Sequence, residues 1–129
     1  MVSLLLLSHS SKIAEGTKDL TLQMAGEANI IAIGGTKTGD LGADYDSTYA
    51  AMEEAAGQGE VIVLADLGSA RLTGQMAQEA LDGELQGRVF LCDAALVEGA
   101  LIAGIAIAAG QSAKETLGQL QEYLLPKND

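Results

Sequence analysis

The sequence has few of the residues from which disulfides and metal sites are built. It contains one cysteine and one histidine in 129 residues. A disulfide within the chain and a cysteine zinc site are therefore excluded, and no metal site is expected beyond loose carboxylate binding of Mg²⁺. The one thiol, Cys92, is expected to be buried in a protein of a reducing compartment.

Basic residues are also scarce, since seven Lys and Arg stand against 18 Asp and Glu, for a net charge of -11. A surface of this sign repels a phosphate backbone, so no nucleic-acid partner is expected. Long apolar runs are absent too. The run at 2–7 lacks the flanks of a secretion signal, and the run at 100–109 is too short to cross a bilayer. We therefore predict a cytoplasmic protein with no membrane partner.

What the sequence does contain is an alternation of two kinds of segment. Hydrophobic residues make up 48% of the chain, enough for the core of one domain over 1–129. Continuous apolar runs of strand length, typical of strands buried on both faces, lie at 3–7, 29–33, 61–65 and 88–92. Segments of helical character lie between and after them, at 11–28, 47–56, 70–81, 98–109 and 114–124.

Apolar residues at helical spacing predict which face of each helix is buried. The predicted stripes are Ile13, Leu20, Met24 and Ala28; Leu72, Met76, Ala80 and Leu81; and Leu117, Leu120 and Leu124. The order of strands and helices predicts an α/β domain: a doubly wound, mostly parallel sheet of four or five strands, with helices on both faces. In such folds ligands bind beyond the carboxyl ends of the strands.

Polar residues gather in the loops that follow those carboxyl ends, at 8–11, 34–40, 66–69 and 93–95. The only histidine, His9, is among them. A neutral imidazole is a competent nucleophile near pH 7, and a phosphoryl group on it would meet the free N–H groups of the next helix, those of Ser10, Ser11 and Lys12. A loop histidine with no role is the alternative that stays open.

Asp66 ends the third apolar run, and in a doubly wound sheet that strand can lie beside the first. A carboxylate there could accept the Nδ1–H of His9 and leave Nε2 free to attack. Asp66 could equally cap the helix that starts near Ser69. Both interpretations stay open.

The glycine-rich loop argues against nucleotide binding. Gly34 and Gly39 have the spacing of a phosphate-binding loop, but Asp40 and Leu41 follow where Lys and Ser or Thr are required. The glycines are instead expected to let the loop turn tightly and approach the region of His9. We therefore expect the chain to bind no nucleotide by itself.

Four motifs, in this order, resemble a known family: Ser8-His9-Ser10, Gly34-Gly35-Thr36, Asp66-Leu67-Gly68-Ser69-Ala70 and Leu96-Val97-Glu98-Gly99. The family is the phosphotransferase subunit (subunit M) of the phosphoenolpyruvate-dependent dihydroxyacetone kinase, which shares its fold with the mannose-type enzyme IIA domain. The resemblance implies that His9 is phosphorylated and that Asp66 orients and stabilises its imidazole. The residues expected to hold the phosphoryl group are Ser10, Ser11, Gly35, Thr36 and Ser69.

The resemblance also implies the partners. The donor would be the phosphocarrier protein HPr, and the acceptor would be ADP, with Mg²⁺, on the kinase's nucleotide-binding subunit; this chain would hold no cofactor. Some members carry further carrier domains, and we expect this chain to depend on free HPr. The family forms homodimers, and the apolar segment 96–109 predicts the same, since it has more hydrophobic surface than one sheet face covers.

Two positions depart from the family pattern. Ala43 stands where a threonine is usual, which removes a hydroxyl from the glycine-rich loop, and Ala95 stands where many members have proline. Two other functions stay open: a mannose-type IIA domain that delivers to a IIB partner, and a non-catalytic regulatory or scaffold domain on the same fold.

Overall fold

In the computed structural model, which describes residues 1–126, four parallel strands form one sheet. The strands are β1 (Val2–Ser8), β2 (Asn29–Gly34), β3 (Glu60–Ala65) and β4 (Val89–Leu91). Their order is β2-β1-β3-β4, with every neighbouring pair parallel. The predicted α/β class is confirmed, and so is the place of the third strand beside the first. Residues 127–129, which the predicted domain includes, lie outside the described residues.

Six α-helices surround the sheet in the described part of the chain: α1 (Ser11–Met24), α2 (Tyr45–Gln58), α3 (Gly68–Glu79), α4 (Gly83–Gln86), α5 (Leu96–Ala108) and α6 (Ala113–Gln119). The short α4 was not predicted. Asp44 caps α2, since its carboxylate accepts the Ser47 N–H at 2.8 Å.

Strand β1 lies at the centre of the core. Leu4 and Leu6 pack on one side of the sheet against α1, α5 and α6, while Leu5 and Leu7 pack on the other side against α2 and α3. All four are buried almost completely. At about 1.5–3 kcal/mol for each buried leucine, β1 is strongly held, and the loop that follows it starts from a rigid base.

The buried face predicted for α1 is wrong. The helix ends at Met24, four residues before the predicted end, and Ile13, Leu20 and Met24 are 48%, 46% and 65% exposed. The buried residues of this helix are small: Ala14, Thr17 and Thr21. The same error applies to α3, which leaves Leu72 and Met76 half exposed and buries Ala70, Gly74 and Ala77. Of that predicted stripe only Leu81, beyond the end of α3, is buried.

Close approach of the helices explains this choice of small residues. A Cβ atom on Gly104 of α5 would lie 2.4 Å from Thr21 Cγ2 of α1, so the two helices touch where neither has a large side chain. A Cβ atom on Gly74 of α3 would lie 2.9 Å from Leu7 Cδ1 of the sheet. At such distances large side chains have no room on the buried side and turn outwards.

The last predicted helix is also too long. Helix α6 ends at Gln119 and continues as a 3₁₀ turn over Leu120–Tyr123. Leu124 then forms an antiparallel bridge with Ala94, and the Ala95 N–H donates to the Tyr123 carbonyl at 3.0 Å. A proline at position 95 has no N–H to make that bond, although the φ of -56° at Ala95 would suit one.

Helix α5 leaves less apolar surface exposed than its nearly all-apolar sequence suggests. It buries Leu96 and five small residues against the sheet and its neighbours, and its most exposed large side chains are Val97 and Ile105, at 40% and 44%. At 13 residues α5 is too short to cross a membrane, and no other helix in 1–126 is long and apolar enough to do so. Cys92 is half-buried rather than buried, and burial raises the pKa of its thiol.

Candidate phosphoryl-transfer site

His9 lies between β1 and α1, where the chain leaves the sheet at its carboxyl edge. Its backbone is fixed on both sides. The His9 N–H donates to Asp66 Oδ2 at 3.1 Å, and its carbonyl accepts the Gly42 N–H at 2.8 Å. The side chain is 21% exposed, so the imidazole is held by the fold while solvent and a partner can still reach it.

Asp66, at the end of β3, faces His9 across the edge of the sheet. Its Oδ1 lies 3.0 Å from His9 Nδ1 and accepts the Leu67 N–H at 2.7 Å. Its Oδ2 accepts the Ser8 hydroxyl at 2.7 Å as well as the His9 N–H. Burial raises the pKa of Asp66, but these hydrogen bonds outweigh burial and hold the pKa below its ordinary value of 3.8.

The ionised carboxylate decides which ring nitrogen carries the proton. A carboxylate is an acceptor only, so His9 Nδ1 must donate to it, and Nε2 is left with its lone pair. The Ser69 hydroxyl contacts Nε2 and can donate to that lone pair. The contact between His9 Nδ1 and Asp66 that such an orientation requires is therefore present, and Nε2 is turned away from the carboxylate.

The alternative role of Asp66, as a helix cap, is wrong. Helix α3 begins at Gly68, and its N-cap residue is Leu67, which has no side chain able to cap. Of the N–H groups near the start of α3, Asp66 accepts only that of Leu67, which lies outside the helix. The first turn of α3 therefore presents uncapped N–H groups beside Ser69 and the imidazole, and such a helix start favours anions.

At the start of α1, one of the three N–H groups that were expected to be free already has a partner. The Ser10 hydroxyl caps the helix by accepting the Ile13 N–H at 3.3 Å, and the Ser10 N–H already donates to Ser8 Oγ at 3.0 Å. The Ser10 amide is thus not free for a phosphoryl group, which corrects the prediction for that atom. The N–H groups of Ser11 and Lys12 meet no acceptor within 1–126.

The glycine-rich loop lies against the start of α1, as predicted. A Cβ atom on Gly34 would lie 2.4 Å from the Ser10 carbonyl oxygen, and Gly35 has a φ of +76°. Gly35 is buried and its N–H donates to the Ser8 carbonyl at 3.4 Å. Thr36 makes its side-chain hydrogen bonds within the loop, to Thr38 and to the Asp40 carbonyl, and none to His9.

Two features near the site were not predicted from the sequence. Ser8 is only 2% exposed, and its hydroxyl lies between Asp66 and the Ser10 N–H. Beyond Asp66, a cavity of about 230 Å³ is bounded by Arg71, Cys92 and Leu125, among others, and Arg71 forms an ion pair with Asp93 at its edge. In the sequence, Ser8 is marked only by its place at the end of an apolar run and in the Ser8-His9-Ser10 motif.

Comparison with known proteins extends this description. Residues 3–117 match the EIIA-man family model, described as the PTS system fructose IIA component. The chain is 35% identical over 121 residues to the phosphoryl donor subunit DhaM of a PEP-dependent dihydroxyacetone kinase from Listeria innocua. That match covers 93% of this chain and 97% of the relative.

A longer relative and a solved structure match equally broadly. The DhaM subunit of Providencia stuartii is 35% identical over 98% of this chain, which spans only 28% of that relative's length. A crystal structure of a protein of unknown function, EF1359, is 36% identical with a TM-score of 0.85, covering 97% of this chain and 96% of the other.

Proposed function

Because this chain belongs to the EIIA-man family and to its DhaM-type phosphoryl donor subunits, we propose that it carries a phosphoryl group on His9 Nε2. The donor is the phosphocarrier protein HPr, and the acceptor is ADP held on the nucleotide-binding subunit of a dihydroxyacetone kinase. A cytoplasmic location stays a prediction.

The observation that carries this proposal is the pairing of His9 with an ionised Asp66. With the proton held on Nδ1 by Asp66 Oδ1, at 3.0 Å, Nε2 is the only ring atom with a free lone pair. Phosphoryl transfer asks little covalent chemistry of the protein beyond position and charge. A fixed, neutral imidazole at an exposed sheet edge meets that requirement.

The phosphoryl group is transferred in two in-line steps, and in each step one bond to phosphorus forms as another breaks. In the first, the bond from the donor's histidine nitrogen to phosphorus breaks as the bond from Nε2 forms, and the Nδ1 proton stays in place. The ring then carries positive charge, which the Asp66 carboxylate stabilises. In the second step a terminal oxygen of ADP attacks phosphorus, the Nε2–P bond breaks, and the ring returns to its neutral form while ATP forms on the partner.

The phosphoryl oxygens are proposed to lie at the start of α3. The Ser69 hydroxyl already contacts Nε2, and the uncapped N–H groups of the first turn are beside it. These donors, with the positive end of the helix dipole, suit a dianionic group. The Ser11 amide, which meets no acceptor within 1–126, is the donor proposed from the start of α1. Gly35 and Thr36 have no contact that supports a direct role, because the Gly35 N–H donates to the Ser8 carbonyl and Thr36 binds within its own loop.

A mixing experiment tests the proposal and the expectation that this chain binds no nucleotide. Loaded with labelled phosphate from phosphoenolpyruvate, enzyme I and HPr, the chain should lose the label quickly to an ADP-loaded nucleotide subunit. Free ADP with Mg²⁺ should remove it only slowly, because a net charge of -11 disfavours a free nucleotide. Calorimetry of the isolated chain should show no ADP or ATP binding.

Two outcomes would contradict this proposal. Tight nucleotide binding by the chain alone would indicate a kinase in its own right. The label could instead be lost rapidly to a sugar-specific IIB protein, with none passed to the nucleotide subunit. That result would favour a second candidate function, a sugar-transport IIA role, which the description of the matching family model supports.

We also propose that the chain forms a homodimer. The exposed apolar side chains of α1 and α5 support this: Ile13, Leu20, Met24, Val97 and Ile105. They flank the line where the two helices touch, since Leu20 and Met24 neighbour Thr21 on α1 and Thr21 meets Gly104 of α5. Sedimentation at micromolar concentration should show a dimer, and Leu20→Glu should shift it towards monomer. A wild-type chain that stays monomeric would refute the proposal.

A further inference from the structure

Ser8 joins three parts of the site through one buried hydroxyl. It is the last residue of β1 and is 2% exposed. Its Oγ–H donates to Asp66 Oδ2 at 2.7 Å, and its Oγ accepts the Ser10 N–H at 3.0 Å. The end of the central strand, the carboxylate and the start of α1 are therefore connected at this point.

We propose that Ser8 is a positioning residue for phosphoryl transfer, which acts through Asp66 to hold the His9 proton on Nδ1 and through Ser10 to fix the start of α1. The inference rests on the proposed function for the reaction that it serves. The geometry of the hydrogen bonds stands independently of that reaction.

The direction of the Ser8 hydrogen bonds follows from its two neighbours. A carboxylate cannot donate and a backbone N–H cannot accept, so the single hydroxyl proton must point to Asp66 and a lone pair must face Ser10. With Oδ2 held by Ser8 and by the His9 N–H, the carboxylate cannot rotate, and Oδ1 is kept towards the ring. Because Ser8 is buried, water has no access to replace the hydroxyl.

Removing the hydroxyl should loosen the carboxylate without removing it. Ser8→Ala leaves Asp66 with three donors in place of four and takes away one of the hydrogen bonds that lower its pKa. The Ser10 N–H also loses its acceptor. We expect the rate of phosphoryl uptake to fall about 10-fold, as is usual when a residue that orients a reacting group is removed.

One further readout separates positioning from simple damage to the fold: the tautomer of the imidazole, which Asp66 sets through its contact with Nδ1. ¹⁵N NMR of the imidazole should show His9 largely as the Nδ1–H form in the wild type and as a mixture of the two tautomers in the variant.

Ser3→Ala is the matched control. Ser3 is in the same strand, is 1% exposed, and its hydroxyl also has a side-chain partner, the Asn29 amide at 2.7 Å, but it lies at the far end of β1. It should lower stability by a similar amount and leave the rate and the His9 tautomer unchanged. Ser8→Thr, which keeps the hydroxyl, should retain more of the rate than Ser8→Ala.

The results that would overturn the role of Ser8 differ from the result that would refute the proposed function. A Ser8→Ala rate and tautomer equal to those of Ser3→Ala would overturn the positioning role. If Ser8→Ala does not fold, Ser8→Cys replaces it, because a thiol is a weak donor of similar size. Ser8→Cys should show the same loss of rate and the same mixture of tautomers. A wild-type rate and tautomer in Ser8→Cys would again overturn the positioning role. A wild-type chain that accepts no phosphoryl group would refute the proposed function, while the NMR comparison would still decide on Ser8.

Discussion

The variant His9→Ala should take up no phosphoryl group and should keep its fold. His9 is the only imidazole in the chain, so no other residue can form a phosphohistidine. The side chain is 21% exposed and belongs to neither core cluster, so its removal costs little packing. The backbone bonds of this residue, to Asp66 and from Gly42, do not depend on the ring.

The measurement is uptake of labelled phosphate from phosphoenolpyruvate, enzyme I and HPr, with circular dichroism and the thermal midpoint to verify the fold. Acid treatment separates the possible acceptors, because a phosphohistidine is hydrolysed in acid and a phosphoserine is not. Label that stays on His9→Ala, or wild-type label that survives acid, would assign the phosphoryl group to another residue, and Ser69, whose hydroxyl contacts Nε2, would be tested first.

The sheet edge that carries the site could be predicted because two strong patterns coincide. The four apolar runs are continuous and of strand length, and the strands lie within two residues of their predicted bounds. The polar loops follow them directly. Parallel strands bring their carboxyl ends to one edge, so His9 and Asp66 were expected to meet if the third strand lies beside the first, as it does.

The buried faces of the helices could not be predicted in the same way. Hydrophobic periodicity assumes that the largest apolar residues face the core, but α1 and α3 bury alanine, glycine and threonine and expose Leu20 and Leu72. That choice depends on how closely a neighbouring element approaches, as at Gly104 and Thr21, and the approach is a tertiary property.

The hydrogen-bond network around Asp66 was beyond prediction for a similar reason. Whether the Ser10 N–H is free depends on where the Ser8 hydroxyl points, and this depends in turn on the Asp66 carboxylate, 58 residues away in the sequence. The Ser69 contact with Nε2 likewise needs the first turn of α3 to face β1. Residue types alone do not specify such directions.

Asp66→Asn should slow phosphoryl transfer by up to about 10⁴-fold, the loss known from a catalytic triad whose aspartate is replaced by asparagine. An asparagine has one acceptor oxygen for the donors that now share two carboxylate oxygens. If its NH₂ faces the ring, Nδ1 must accept, the proton moves to Nε2, and the nucleophilic lone pair is lost. If its NH₂ faces Ser8 and the His9 N–H, that N–H meets a donor instead of an acceptor, and the ring loses its counter-charge in either case.

The pH dependence of stability gives an independent check on the same carboxylate. The pKa of Asp66 is lower in the folded chain than its ordinary value of 3.8, so its contribution to the free energy of unfolding is present above 3.8. It is lost as the pH falls through the folded pKa. The difference in the free energy of unfolding between wild type and Asp66→Asn should therefore be constant near neutral pH and shrink below 3.8.

Asp93→Asn is the control for both measurements. Asp93 follows β4 at the same sheet edge and pairs with Arg71, but it makes no contact with His9. Its loss should leave the transfer rate unchanged, because the ring keeps its tautomer and its counter-charge. If Asp66→Asn transferred phosphoryl as fast as Asp93→Asn, the carboxylate would be structural only, and the tautomer of His9 would have to be set by the Ser69 hydroxyl at Nε2.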